Sequence, residues 1–268
     1  MTDDLNTKDS SLYALLRSAG RIAIAFSGGV DSAYLLKAAH DVLADEVLAV
    51  TIRSSVMPAG EDEDAATLCR TMGVRQIVID ADVFSVPQFS ENPPDRCYWC
   101  KKALFAQIKE TAVKNGFTVV ADGTNSDDMS DYRPGAKAAK ELGIISPLKD
   151  CGFTKSDIRL LSKESGLPTW NKPSMACLAS RFPYGDEITP EGIRMVDSAE
   201  RVLKELGLSQ YRVRKFGKKA KIEVLPEEFP VVKENFAKIT SEFMKFGFDD
   251  VILDPKGYRT GSMNSLLK

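Results

Sequence analysis

"RIAIAFSGGVDSAYLLKAAHDVL", residues 21–43, is the stretch on which the fold turns. An apolar, β-branched run ends at Ser27-Gly28-Gly29-Val30-Asp31-Ser32, and apolar residues then recur at helical spacing. The order is strand, tight glycine loop, helix. At such a junction several backbone N–H groups and the positive end of a helix dipole face one point, which favours an anion. Ser27 and Ser32 add hydroxyl donors, and Gly28 and Gly29 let the backbone approach phosphate oxygens closely. The loop is neither GxxxxGK[ST] nor GxGxxG, because no lysine follows the glycines and their spacing differs. With Asp31 where a lysine would act, it suits pyrophosphate held together with a magnesium ion.

Outward from this unit, strand and helix patterns alternate. Residues 11–19 (SLYALLRSA) form a short amphipathic helix before it; EVLAVTIRSS (46–55) and RQIVIDAD (75–82) are strands separated by a helix over 61–73. A proline-rich loop (86–95) precedes a helix with Leu104, Phe105, Ile108 and Ala112 in phase, and TVVADGTNSDD (118–128) is a strand running into a polar loop. This alternation predicts an α/β fold with a doubly wound parallel sheet. Ligands gather at the carboxyl ends of such strands, where SGGVDS and DGTNSDD both lie. A capping box, Thr154 with Asp157, starts another helix. The stretch LPTWNKPSMACLASRFPYG (167–185) has no period and reads as an ordered loop or hinge. Beyond it the pattern becomes helix, two strands, one helix over about 227–246 and the strand DDVILD. The expected division is therefore residues 1–185 and a smaller C-terminal α+β domain over 186–268.

The bulk numbers bound the function. With 268 residues, 43% hydrophobic and 28% charged, and a net charge of −2, the chain is of ordinary globular composition. It has no overall basic field to draw it to nucleic acid. There is no run of 18 apolar residues, and MTDDLNTKDS lacks the order of a signal peptide, so a cytoplasmic location is expected. In a reducing compartment five cysteines point to metal or catalysis rather than disulfides.

Cys97 and Cys100 form a CxxC pair, and Cys177 lies about 80 residues on, in SMACLASR. Cys69 falls on the apolar side of a helix, and Cys151 has no evident partner. Structural zinc takes four ligands, yet the one histidine, His40, sits on the helix after SGGVDS, towards the end away from the loop. Three thiolates without a fourth suit a [4Fe–4S] cluster with one open iron; zinc and a redox pair remain alternatives. Arg212 and Arg214 alternate on a strand and so share a face. Glu200 falls on the helical stripe Ile193, Val196, Glu200, Leu203, where a buried carboxylate calls for an arginine or a metal.

SGGVDS after a buried strand resembles the PP-loop of the ATP-pyrophosphatase superfamily. NKPSMACLASRFPYG (171–185), DYRPG (131–135) and GYRTGSMN (257–264) narrow the resemblance, over nearly the whole chain, to the LarE family of ATP-dependent sulfur transferases. That resemblance implies cleavage of ATP between the α and β phosphates, adenylation of a carboxylate, and displacement of AMP by sulfur. It implies that Ser27, Gly28, Gly29, Asp31 and Ser32 hold the pyrophosphate, Gly123, Thr124 and Asn125 the nucleotide, and Asp127 or Asp128 the metal. Ser180, Arg181, Arg212 and Arg214 would meet the nucleotide substrate, pyridinium-3,5-biscarboxylic acid mononucleotide, on the way to the nickel-pincer cofactor of lactate racemase. Cys97, Cys100 and Cys177 would ligate a [4Fe–4S] cluster that carries sulfide, with Cys177, Asp31 and Glu200 as the catalytic set and ATP and Mg²⁺ as the other cofactors. A sulfide source or cysteine desulfurase would reload the sulfur, and a homotrimer or hexamer is implied. Alternatives are a tRNA thiolation enzyme, a sacrificial donor working through Cys177 itself, an ammonia-using synthetase with structural zinc, and a redox sensor.

Overall fold

A computed structural model describes residues 3–130, 134–259 and 261–263. Of the family stretches, residues 131–133 of DYRPG and residues 260 and 264 of GYRTGSMN lie outside the described residues. The chain divides into two compact units. The first comprises Met1–Ser54, Gly60–Asp82 and Cys97–Ser174; the second comprises Ser55–Ala59, Val83–Arg96 and Met175–Lys268.

The first unit is the doubly wound layer. Helix α1 (Asp3–Ala19) leads into β1 (Ile22–Ala25), α2 (Val30–Leu43), β2 (Val47–Arg53), α3 (Glu61–Met72) and β3 (Arg75–Asp80). Then come α4 (Arg96–Lys114), β4 (Val119–Ala121), α5 (Pro134–Glu141), α6 (Pro147–Asp150) and α7 (Lys155–Glu164). The four strands are all parallel in the order β3-β2-β1-β4. The chain winds outward from β1 to β3, then crosses back to place β4 on the other side of β1, so strand order reverses between β1 and β4. A ligand crevice opens at such a switch point, and here SGGVDS leaves β1 while DGTNSDD leaves β4.

Both faces of the sheet are covered, which explains why its strands read as continuous apolar runs. Ile22 and Ile24 join Leu12 and Leu16 of α1, Leu35 and Leu36 of α2, Leu68 and Cys69 of α3 and Ile158 of α7 in one core. Ala23, Leu48, Val50 and Val120 face the other way, against Phe105, Ile108 and Ala112 of α4 and Ala139 of α5. Successive residues of a strand thus feed opposite cores, as its period of two requires. Helix α7 starts with the anticipated capping box: Asp157 N–H donates to Thr154 Oγ1 at 3.2 Å and Thr154 N–H to Asp157 Oδ2 at 3.0 Å.

The second unit carries α8 (Pro190–Glu205), β5 (Tyr211–Phe216), β6 (Lys219–Val224), α9 (Phe229–Glu234), α10 (Phe236–Lys245) and β7 (Asp250–Leu253). Its sheet has the order β5-β6-β7, antiparallel then parallel. The single helix expected over about 227–246 is two helices. Asn235, at φ −96° and ψ 7°, closes α9 and opens α10, and its side-chain amide donates to the Val231 carbonyl at 2.9 Å. The break is in the Asn235 backbone angles, since its N–H still donates to the Val231 carbonyl at 3.2 Å and its carbonyl accepts from Ile239 N–H at 2.9 Å.

Candidate active site

The phosphate loop takes its shape from the glycines. Gly28 has φ +72°, a left-handed backbone that favours glycine, and a Cβ there would lie 3.0 Å from Ala65 Cβ of α3. Gly29 N-caps α2 with no side-chain cap. Ser32 Oγ donates to the Gly29 carbonyl at 3.2 Å and accepts from Ser27 N–H at 3.3 Å, with the two serine hydroxyls 3.2 Å apart. Two serines therefore brace a loop whose helix end presents positive charge.

The β4 loop comes against it closely. Gly123 leaves room for nothing larger, since a Cβ there would lie 2.9 Å from Ser32 N and 3.2 Å from the Asp31 carbonyl carbon. Asp122, buried at the strand end, accepts from Thr124 Oγ1 at 2.7 Å and Ser146 Oγ at 2.8 Å. Asn125 donates from Nδ2 to Asp31 Oδ1 at 3.3 Å and accepts from Asp127 N–H at 3.0 Å, while its own N–H donates to Asp128 Oδ2 at 3.2 Å. Asp127 Oδ2 accepts from Lys155 N–H at 2.7 Å. Lys155 Nζ also pairs with Asp31 Oδ2. The structure thus brings Ser27, Gly28, Gly29, Asp31, Ser32, Gly123, Thr124, Asn125 and Asp127 around one corner of the first unit.

In the second unit the arginines and Glu200 form a buried network. Arg181, fully buried, donates from Nε and Nη2 to the two Glu200 oxygens at 2.8 Å each. Its Nη1 donates to the carbonyls of Ala176 at 2.8 Å and Cys177 at 3.2 Å, and to Ser180 Oγ at 2.9 Å. Glu200 also accepts from Val213 N–H at 2.9 Å. Its partner is thus an arginine, one of the two anticipated for a carboxylate on that stripe. Arg214 donates to Glu223 Oε2 at 2.9 Å, to the Ser180 carbonyl at 2.9 Å and to Ser262 Oγ at 2.9 Å. Arg212 lies over the Tyr258 ring, 5.3 Å from its centroid. Burial, and then the neighbouring Arg181 charge, push the Arg212 guanidinium down to about 10, with Glu200 acting against them. An anion beside Arg212 would relieve that pressure.

The thiols differ in setting. Cys97 and Cys100 lie one turn apart on the first turn of α4, half-buried, and Cys177 is exposed. Cys69 is core, its thiol pushed up to about 12 by burial. Among the described residues no group of three or more His, Cys, Asp or Glu side chains is gathered to hold a metal ion, and no helix is long and apolar enough to cross a membrane.

No family model matches the chain. An uncharacterized protein of Synechocystis sp. is 39% identical over 265 residues, covering 98% of this chain and 99% of its own length. The pyridinium-3,5-bisthiocarboxylic acid mononucleotide synthase of Lactiplantibacillus plantarum is 38% identical over 268 residues, 98% of this chain and 96% of its own. This chain belongs to the LarE family. A glutamine-hydrolyzing GMP synthase component of Archaeoglobus fulgidus matches at 23% identity over 205 residues, 69% of this chain. The LarE chain is accordingly an enzyme of the PP-loop ATP-pyrophosphatase superfamily.

Three residues of this LarE chain are given no role by the motifs above, although Asp122 opens DGTNSDD itself. Lys155 carries a signal: a cation in the first turn of a helix opposes the dipole, so an anion near it was to be expected. Asp122 carries a weaker one, a carboxylate closing an apolar strand. Arg96 carries none, standing between a proline-rich loop and a cysteine pair.

Proposed function

We propose that this chain is an ATP-dependent sulfur transferase. On this reading it adenylates a carboxylate of pyridinium-3,5-biscarboxylic acid mononucleotide and replaces the oxygen by sulfur. The observation that carries the reading is the phosphate loop at the β1/β4 switch point, together with the family membership. One carboxylate oxygen attacks the α-phosphorus of ATP and pyrophosphate leaves; a sulfur nucleophile then adds to the acyl carbon and AMP leaves with the electron pair. Ser27, Gly28, Gly29 and Ser32 bind the β and γ phosphates through backbone N–H and hydroxyl groups. Gly123, Thr124 and Asn125 take the nucleotide side. Asp31 fits magnesium as a hard oxygen donor, and Lys155 holds that carboxylate until the nucleotide arrives. Ser180, Arg212 and Arg214 form the substrate side, Arg212 pairing with its phosphate. Arg181, paired with Glu200, holds the Ser180 hydroxyl and the Cys177 carbonyl next to that side.

Cys97, Cys100 and Cys177 are the residues that would hold an iron–sulfur cluster, and sulfide delivery is the chemistry it would supply. Thiols are the right donors, and Cys97 and Cys100 meet that test as a pair. Cys97 and Cys100 belong to the first unit and Cys177 to the second. The test is turnover of the anaerobically purified protein with ATP·Mg²⁺, the pyridinium dicarboxylate mononucleotide and sulfide. AMP and thiocarboxylate in equal amounts are expected. AMP formation that depends on ammonia and yields a carboxamide would replace this reading with an amidating one, to which the GMP synthase similarity points.

A further inference from the structure

Cys177 is exposed, yet its backbone is gripped from inside the second unit. Arg181 takes the carbonyls of Ala176 and Cys177, as described above. A second buried guanidinium reaches the same segment from 83 residues away: Arg96 Nη1 donates to the Ala179 carbonyl at 3.0 Å. Arg96 is 4% exposed, and the same nitrogen also donates to Asn92 Oδ1. Asn92 is itself wholly buried at φ +52°, a left-handed backbone that asparagine tolerates better than most residues. Its Nδ2 donates to the Pro183 carbonyl at 2.6 Å, and its own carbonyl accepts from Gly185 N–H at 2.9 Å. Leu178 N–H donates to the Val56 carbonyl at 2.8 Å. The carbonyls of residues 176, 177, 179 and 183 are thus drawn inward while the Cys177 residue remains exposed.

We infer that Arg96, oriented by Asn92, is a positioning residue for sulfur transfer, fixing the backbone beneath Cys177 so that its thiol is presented in one geometry. Buried charged groups are weak evidence of a stabilising role, since well-packed apolar residues often replace them without loss. As a clamp on a carbonyl Arg96 has two merits. The hydrogen bond is charge-assisted, and the planar guanidinium reaches Asn92 and Ala179 without losing further freedom. Arg96 also immediately precedes Cys97, so its placement bears on the start of α4. The inference rests on the sulfur-transfer reading.

The experiment compares Arg96→Met, Arg96→Lys and Asn92→Gly with the wild type in the turnover assay, measuring kcat and the KM for ATP. Glycine keeps the left-handed backbone at position 92 while removing the amide. Arg96→Met is expected to lower kcat about 100-fold, the scale of a misplacement of about 1 Å, with the KM for ATP within about threefold. Asn92→Gly should lower kcat about tenfold, and Arg96→Lys should recover at least about tenfold over Arg96→Met. A purely structural role would move stability without this split between kcat and KM. Folded Arg96→Met within threefold of wild-type kcat overturns the inference, as does a rise in the KM for ATP that matches the loss of kcat. If Arg96→Met does not fold, Asn92→Gly at wild-type kcat overturns it. Wild type that forms no thiocarboxylate would instead overturn the functional reading.

Discussion

Replacing Glu200 by glutamine tests whether the buried network holds the second unit together. The carboxylate receives two 2.8 Å bonds from Arg181 and one of 2.9 Å from Val213 N–H, and the paired side chains are 0% and 5% exposed. Glutamine keeps the volume and one acceptor, but its amide N–H₂ faces a guanidinium donor and leaves the Arg181 charge without its counter-ion. Breaking a buried pair this way costs about 3–5 kcal/mol, against a typical domain stability of about 5–15 kcal/mol. With a urea m-value of about 2 kcal/mol/M, the midpoint for the second unit should fall by roughly 2 M. Both tryptophans, Trp99 and Trp170, lie in the first unit, so tryptophan fluorescence reports that unit alone while far-ultraviolet circular dichroism reports both. Two units need not melt together. The expected outcome is an early loss of dichroism with an unmoved fluorescence transition. Coincident transitions at the wild-type midpoint would refute the assignment of Glu200 to an internal ion pair.

Three further outcomes follow from the geometry. Gly123→Ala drives a methyl into Ser32 N and the Asp31 carbonyl carbon; ATP binding by calorimetry should weaken at least about tenfold through displacement of the loop, and an unchanged affinity would count against the close approach. Arg212→Met removes a cation that burial, and then the neighbouring Arg181 charge, push down to about 10. The variant should lose the rise in melting temperature expected of the wild type in millimolar inorganic phosphate, and an equal rise in both would count against a phosphate site at Arg212. Burial pushes the Asp157 carboxyl up, but hydrogen bonds from Thr154 and Lys8 pull it net below its ordinary value. A carboxyl lowered in the folded state contributes stability above the unfolded pKa of about 3.9 and loses it as pH falls through the folded value. The stability gap between wild type and Asp157→Asn, about 1 kcal/mol at pH 6, should therefore close below about pH 4, and a gap independent of pH would count against the pairing.

Much of the first unit was legible because its signals are local. The run from Ile22 to Ala25, the glycines after it and the apolar positions of α2 dictate strand, turn and helix within some twenty residues. The Thr154–Asp157 box likewise announced α7. Other features stayed hidden for reasons of the same kind. Asn235 divides a well-patterned helix by the backbone angles of one residue, and the excursions 55–59 and 83–96 join the second unit without any shift in composition.

By itself the sequence determined the α/β class, the anion-binding turn at SGGVDS and the three thiols on offer, because each depends on neighbours within a turn or a strand. Only the tertiary structure decided that the sheet order is β3-β2-β1-β4. Only there does Lys155 meet Asp31 across 124 residues, and Arg96 hold the Ala179 carbonyl across 83. Such pairings are settled by which faces pack and where the chain crosses over, and no local propensity records them.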